Sequence, residues 1–191
     1  MVALIIGLGN PGGEYANTRH NVGWMCLAEL ERRGRFTRER REGRSRVREG
    51  SIEGFDIVLA RPQTFMNLSG KAALPLLRRF GVPVEDLIVV HDDIDLAFGR
   101  LRLKRGGGSG GNNGVRSLVA SLQSPEFMRV RVGVGRPPEG VDAIDHVLRT
   151  FPPDQRERLP AILTRAADAA MSLIRAGLEP SMTEFNRASD V

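Results

Sequence analysis

The sequence predicts an α/β fold, because apolar strand-like runs alternate along the chain with segments of helical periodicity. Short apolar runs over residues 3–8, 55–62 and 86–95 predict buried strands. Between them, the spacing of apolar residues over 22–34 and 69–81 predicts helices. We therefore expect a layered domain in which helices flank a sheet.

The helix ends are marked by glycine and by a capping residue. Gly34 and Gly81 are expected to end the two helices, and Ser69 is expected to cap the start of the second one. Pro75 lies inside that second helix, where it introduces a kink or delays the start. A stripe of apolar residues also predicts a C-terminal amphipathic helix over 154–177.

The middle of the chain adds two alternating strands and a glycine-rich loop. Residues 99–106 and 129–135 alternate as strands do, and the second run places Arg129 and Arg131 on one face. Between the two strands, residues 106–114 form a glycine-rich loop that leads into a further helix.

We find no linker or repeat, so residues 1–191 are expected to form one domain. The glycines and prolines that bound residues 136–150 permit this segment to move as a lid, although a static surface loop is the default interpretation. The chain has no apolar run of about 20 residues and no basic leader, which favours a cytoplasmic protein that does not cross a membrane. A single cysteine, Cys26, excludes an internal disulfide and a zinc cluster built on thiolates.

The charge balance points to a polyanionic partner. The net charge is +5 and the pI is about 10.5. Residues 31–50 hold nine arginines against four glutamates, so the rest of the chain is balanced overall. Clusters of arginine beside small polar loops favour phosphate contacts, while a solvated surface is the alternative interpretation.

A glycine pattern after the first strand raises the question of nucleotide binding. Gly7, Gly9 and Gly12 match G-x-G-x-x-G, the dinucleotide-binding pattern. Such a loop needs a helix that begins inside the motif, whereas Pro11 favours a turn and the helix begins only after His20. The acidic end of a second strand is also missing, so the sequence disfavours a nucleotide site here.

Polar residues at strand ends point instead to hydrolytic chemistry. The first loop carries His20, and Asp92 lies where a buried strand turns polar. An aspartate beside a histidine holds the histidine's tautomer and stabilises the imidazolium, which makes a general base near neutral pH. Taken alone, His20 is better explained as a capping or packed residue, and a functional role requires partners that converge on it.

Three loops present asparagines: Asn10 in the first, Asn67 in the second, and Asn112 with Asn113 in the glycine-rich third. An uncharged amide both donates and accepts hydrogen bonds, which suits it to hold a water, an amide or an oxyanion. For Asn67 a helix-capping role is the alternative.

A competing pattern places a nucleophile at Ser109. Residues 107–111 match G-x-S-x-G, and Asp142 and His146 follow in the order of a serine hydrolase. Ser109 nevertheless lies within a long glycine loop rather than in a sharp turn from strand to helix, and the chain is short for that fold. The sequence therefore disfavours a serine nucleophile.

Four segments, in this order and at similar spacing, resemble the signature segments of bacterial peptidyl-tRNA hydrolases: "IIGLGNPGGEYANTRHNVG", "TFMNLSG", "HDDIDL" and "GGGSGGNNGVRSL". The resemblance covers about residues 2–185. It implies a single-domain, three-layer α/β fold with a central mixed, mostly parallel sheet flanked by helices. It also implies a monomeric enzyme without metal or cofactor that hydrolyses the ester bond between a peptide and the 3′-terminal ribose of tRNA.

The resemblance assigns roles to individual residues. His20 resembles the general base and Asp92 the carboxylate that supports it. Asn10 resembles a residue that binds near the peptide and helps to distinguish peptidyl-tRNA from aminoacyl-tRNA. Asn67 and Asn113 match asparagines that bind substrate, and Asn113 also positions the water or the developing oxyanion.

The same resemblance places Tyr15, Phe65 and Met66 around the cleft for the peptide and the terminal nucleotide. Lys104 and Arg131 match positions that contact tRNA phosphate. Two alternatives remain beside this interpretation: a non-catalytic RNA-binding protein of the same fold, and a serine esterase acting on small esters.

The chain departs from the family pattern in the glycine loop. The family usually has histidine immediately before the asparagine that matches Asn113, and often another three residues earlier. Asn112 and Ser109 occupy these positions here. The departure removes any role for a second histidine in this loop and leaves His20 unaffected.

Overall fold

One mixed sheet organises the protein, for which a computed structural model describes residues 2–187. The strands are β1 (Ala3–Gly7), β2 (Arg35–Phe36), β3 (Arg40–Glu42), β4 (Ser45–Ile52), β5 (Phe55–Pro62), β6 (Ile88–Asp93), β7 (Leu101–Arg105) and β8 (Met128–Gly133). Their order across the sheet is β2-β4-β5-β1-β6-β8-β7, with β3 paired to β4 outside this path.

The parallel strands lie at the centre of the sheet. β5, β1, β6 and β8 pair in parallel, whereas β2, β3 and β4 on one side and β7 on the other pair antiparallel. The fold is thus the expected α/β fold with a mixed sheet. The resemblance implied a mostly parallel sheet, but only three of the seven strand pairings are parallel, and all three lie at the centre of the sheet. The carboxyl ends of β1, β5, β6 and β8 meet at one edge of the sheet, where α/β proteins place their sites.

Helices cover both faces of the sheet. They are α1 (Val22–Arg33), α2 (Ser69–Phe80), α3 (Asn113–Leu122), α4 (Ala143–Val147), α5 (Pro153–Ala176) and α6 (Leu178–Phe185). On β1, Ile5 packs into the apolar layer under α1 and α5, while Leu4 and Ile6 pack into the layer under α2 and α3. None of these helices is long and apolar enough to cross a membrane.

The helix ends confirm one expectation and correct another. Gly81 ends α2 in the left-handed conformation, with a φ of 64° that glycine adopts at little cost. Ser69 is already the first helical residue rather than the cap, and its hydroxyl donates to the carbonyl of Met66. Pro75 lies inside the helix. The arginine-rich segment, for which the sequence pattern indicated no element, forms β2, β3 and β4 because these strands pair at the sheet margin.

Gly7, the first glycine of the motif, and Gly23 of α1 allow the helix to pack closely on the sheet. A Cβ atom on Gly7 would lie 2.5 Å from the carbonyl oxygen of Gly23, and a Cβ atom on Gly23 would lie 2.4 Å from the carbonyl oxygen of Val90. The first turn of α1 thus contacts the backbones of β1 and β6 directly. α1 begins at Val22, well after the glycine motif, so no helix N-terminus faces a ligand within it.

We predict that Gly23→Ala lowers the free energy of unfolding by about 1–3 kcal/mol, because the added methyl group meets backbone that cannot move aside. Gly13→Ala is the matched control, since Gly13 has open space around its Cβ position. Denaturant unfolding of both variants measures the difference. Equal stability of Gly23→Ala and the wild type would contradict the close packing of α1 on the sheet.

Candidate active site

A buried histidine–aspartate pair lies at the carboxyl edge of the central strands. His20 lies two residues before the start of α1, and Asp92 is near the end of β6. The Nδ1 atom of His20 lies 2.9 Å from both carboxylate oxygens of Asp92. Because a carboxylate accepts hydrogen bonds, Nδ1 carries the proton and Nε2 keeps its lone pair. The pair therefore presents a basic nitrogen that is available for proton transfer.

The electrostatics of the pair raise the pKa of His20 above its usual value of 6.5. Burial is the largest effect and by itself lowers the pKa, because it disfavours the charged imidazolium. The negative charge of Asp92 and its hydrogen bond act in the opposite direction and together outweigh burial. His20 is therefore a stronger base than an isolated histidine.

Asn10 is fixed beside the pair by a second buried asparagine. The backbone N–H of Asn10 donates to Oδ1 of Asn21 at 2.9 Å, and Nδ2 of Asn21 donates to the carbonyl of Asn10 at 3.0 Å. Oδ1 of Asn10 accepts the backbone N–H of Met66 at 2.7 Å. These bonds leave the N–H₂ group of Asn10 as the part of the side chain that is free to meet a ligand.

Asn112 connects the pair to the glycine loop. Its Oδ1 atom accepts the backbone N–H groups of Gly114 and Val115, at 3.0 and 3.1 Å, and so caps the start of α3. Its Nδ2 atom donates to Oδ1 of Asp92 at 3.0 Å. The residue that departs from the family pattern is thus a direct neighbour of the Asp92 carboxylate.

These residues surround an open cavity of about 250 Å³. Seven of the ten residues predicted from the sequence line it: Asn10, His20, Phe65, Met66, Asn67, Asp92 and Asn113. Tyr15, Lys104 and Arg131 do not line the cavity, so any contact that they make with substrate lies outside it. The polar floor of the cavity and its exposed apolar rim, which includes Phe65 and Ile144, suit a ligand with a polar reactive group and an apolar part.

The segment 136–150, expected as a loop or lid, contains the helix α4 and supplies part of the cavity wall. Arg19 holds the end of this segment: its Nη1 atom donates to the carbonyls of His146, Arg149 and Thr150 at 3.0–3.3 Å. These hydrogen bonds come from the residue next to His20. Motion of the rest of the segment stays a prediction.

A cationic cluster lies beside the glycine loop. The pKa of Lys104 is lowered, first by burial and then by the positive charges of Arg129 and Arg131. Nε of Arg131 donates to the buried carboxylate of Asp93 at 2.7 Å. This cationic cluster consists of Lys104, Arg129 and Arg131, and Asp93 is the acidic residue in contact with it. Its net positive charge attracts anions.

Arg129 is buried and anchors the glycine loop. Its Nη1 atom donates to the carbonyl of Gly108 at 2.8 Å, and its Nε atom donates to Nε2 of His91 at 3.1 Å. Nδ1 of His91 in turn donates to the carbonyl of Asp92 at 2.7 Å. The arrangement requires neutral His91, because the ring must donate at one nitrogen and accept at the other.

The serine-hydrolase pattern is not assembled. The carboxylate of Asp142 accepts the backbone N–H of Ile144 at 2.8 Å and so caps α4. Nε2 of His146 faces the carbonyl of Gly135 at 3.0 Å. Because Asp142 and His146 have these separate partners, they form no relay behind Ser109. Within residues 2–187 no cluster of three or more histidine, cysteine or acidic side chains is placed to bind a metal.

Sequence reasoning assigned no role to Asn21 or Arg19, although both lie in a quoted motif beside His20. Asn21 is completely buried and holds the backbone of a residue eleven positions away. Arg19 reaches carbonyls more than 120 positions away. No local pattern signals such bonds, because they arise only when the two segments are brought together.

Comparison with known proteins gives a consistent answer. A model of the family described as peptidyl-tRNA hydrolase matches residues 4–191. A peptidyl-tRNA hydrolase of Dehalococcoides mccartyi is 45% identical over 186 residues, covering 96% of this chain and 98% of the relative. One of Chloroflexus aurantiacus is 46% identical over 184 residues, with the same coverage. The crystal structure of peptidyl-tRNA hydrolase from Acinetobacter baumannii has a TM-score of 0.90 and 33% identity, over 98% of this chain and 96% of that one.

We predict that His91 makes stability depend on pH. Burial, followed by the charge of Arg129, lowers its pKa from 6.5 to about 4. The stabilisation is therefore complete above pH 6.5 and is lost as the pH falls towards 4, because the unfolded chain binds the proton first.

His91→Gln tests this prediction, because the glutamine oxygen can accept from Arg129 without titrating. Between pH 6.5 and 4, the free energy of unfolding is expected to fall more steeply for the wild type than for the variant. Denaturant titrations at several pH values measure both slopes. Parallel slopes would show that His91 is not held neutral.

Proposed function

The chain belongs to the peptidyl-tRNA hydrolase family and hydrolyses peptidyl-tRNA, and we propose that His20 is the general base of this reaction, with Asp92 as its support. The observation that carries the proposal is the buried hydrogen bond of 2.9 Å between His20 Nδ1 and Asp92 at the floor of the cavity. It orients the imidazole and leaves Nε2 free to take a proton.

In the proposed mechanism, a water molecule gives a proton to Nε2 of His20 as its oxygen attacks the ester carbonyl carbon. Asp92 stabilises the imidazolium that forms. The bond between the carbonyl carbon and the ribose oxygen then breaks, and the proton on His20 passes to that oxygen. The products are the free peptide acid and tRNA with an intact 3′-terminal ribose. Because His20 protonates the departing ribose oxygen, water can attack the ester directly and no covalent enzyme intermediate is needed.

The asparagines provide uncharged hydrogen-bond donors around the reacting ester. The free N–H₂ group of Asn10 is suited to bind a carbonyl of the peptide, and Asn67 and Asn113 line the same cavity. Asn113 opens α3 next to the His20–Asp92 pair, which suits it to hold the attacking water or the oxyanion. A donor of this kind contributes roughly 2.7–4 kcal/mol to transition-state stabilisation.

The other predicted site residues are proposed to bind the peptide, the terminal nucleotide and the phosphates of the substrate. Phe65 and Met66 offer apolar surface to the peptide or the terminal base, and Tyr15 lies on the same loop as Asn10, outside the cavity. Lys104 and Arg131 are proposed to bind tRNA phosphate, which the cationic cluster attracts. We further propose that the chain acts in the cytoplasm as a single-domain monomer without metal or cofactor.

We predict that His20→Ala lowers turnover by about 10²–10⁴-fold, because the general base is lost while the binding surfaces remain. The assay is release of N-acetyl-amino acid from N-acetyl-aminoacyl-tRNA. Thermal unfolding and binding of uncharged tRNA serve as controls and are expected to stay near wild type. Turnover near the wild-type value would exclude His20 as the base.

We predict that replacing both Lys104 and Arg131 by glutamine raises KM for full-length peptidyl-tRNA with little change in kcat. Loss of two phosphate contacts should also reduce the salt dependence of log KM by about 1.4–1.8 in slope. The charge-matched control replaces Arg78 and Arg79, which are exposed at the far end of α2. An equal effect of the two double variants would contradict a specific phosphate site at the cluster.

A further inference from the structure

Asn112 makes two kinds of bond whose directions are determined by its partners. The partners of Oδ1 are backbone N–H groups of α3, which only donate, and the partners of Nδ2 are oxygens of Asp92, which only accept. A flipped amide would lose every one of these bonds. The orientation of Asn112 is therefore determined by chemistry, and the side chain spans the start of α3 and the carboxylate.

The carboxylate of Asp92 is shared between two donors. Its Oδ1 atom accepts both from His20 Nδ1 and from Asn112 Nδ2, at 2.9 and 3.0 Å. Asp92 is only 2% exposed and Asn112 8%, so bulk water does not replace either bond. A second donor prevents rotation of the carboxylate and draws negative charge away from the imidazole.

We propose that Asn112 is a positioning residue for the reaction: it holds the Asp92 carboxylate in register with His20 and limits how strongly that carboxylate stabilises the imidazolium. The proposal rests on the proposed role of His20. Asn112 and the residue that follows it, Asn113, both line the cavity, so this positioning contact lies beside the place where substrate binds.

Other charged groups near the pair are already engaged. Asp93, the next residue of β6, accepts from Arg131. His91 faces Arg129 on the other side of the strand and stays neutral. Asp92 is thus the charged group that acts directly on His20, and Asn112 is the uncharged side chain that acts on Asp92.

Two substitutions separate the two tasks of Asn112. Asn112→Ser keeps a helix-capping oxygen, but its hydroxyl is too short to span both α3 and the carboxylate. Asn112→Ala removes the cap and the donor together. We expect both variants to lose some thermal stability, because each leaves the buried Asp92 carboxylate with one donor fewer. Asn112→Ala is expected to lose several degrees more than Asn112→Ser, because it also loses the helix cap.

Both variants are expected to change the titration of His20 alike. NMR titration of its ring signals should show a rise in the pKa of about half a unit or more, because the undivided charge of Asp92 favours the imidazolium. The acidic limb of kcat/KM should move to higher pH, and kcat at its plateau should fall about tenfold through misorientation of the base. Asp92→Asn supplies the reference, since Asn112→Ser in that background should shift the titration no further.

An unchanged His20 titration in Asn112→Ser would overturn the proposal and leave Asn112 as a helix cap alone. The proposal would also be overturned if kcat fell only in Asn112→Ala and in proportion to the loss of stability of that variant. Because the NMR titration does not depend on turnover, it distinguishes this result from a failure of the proposed function, which His20→Ala tests separately.

Discussion

The buried carboxylate of Asp92 is the point on which the site depends. An ionised carboxylate that is almost fully enclosed is costly unless hydrogen-bond donors surround it. Here the donors are His20 Nδ1 and Asn112 Nδ2, and each comes from a different loop at the same edge of the sheet. The need to satisfy Asp92 thus brings the base and the start of α3 to one place, and the same bonds orient the base for catalysis.

Three consecutive residues of β6 each hold a different part of the site. His91 is bonded to Arg129, which holds the glycine loop through the carbonyl of Gly108. Asp92 holds the base, and Asp93 holds Arg131 in the cationic cluster. The proposed phosphate contact, the proposed general base and the anchor of the glycine loop therefore share one central strand, which lies between two parallel neighbours. Such a strand is a rigid support for groups that must meet one substrate.

Close packing of glycines places the base over this strand. Because Gly23 lacks a side chain, the first turn of α1 contacts the backbone of β6 near Val90. His20 precedes that turn by two residues, so the helix delivers it to Asp92. In the arginine-rich segment, by contrast, much of the positive charge is used within the fold: Arg40 pairs with Glu42 and Glu49, and Arg46 pairs with Glu39. Net charge alone therefore overstates the basic surface that this segment offers to RNA.

The sequence by itself determined the alternation of strands and helices, the position of Asp92 at a strand end and of His20 before a helix, and the family to which the motifs belong, because apolar periodicity and local motifs are short-range properties. It did not determine β2, β3 and β4, whose polar residues become strands only by pairing at the sheet margin. Nor did it determine that Asn21 fixes Asn10, that Arg19 clamps the end of α4, or that Asn112 donates to Asp92. Those bonds join residues 11 to 131 positions apart, and only the tertiary structure brings their atoms within hydrogen-bond distance.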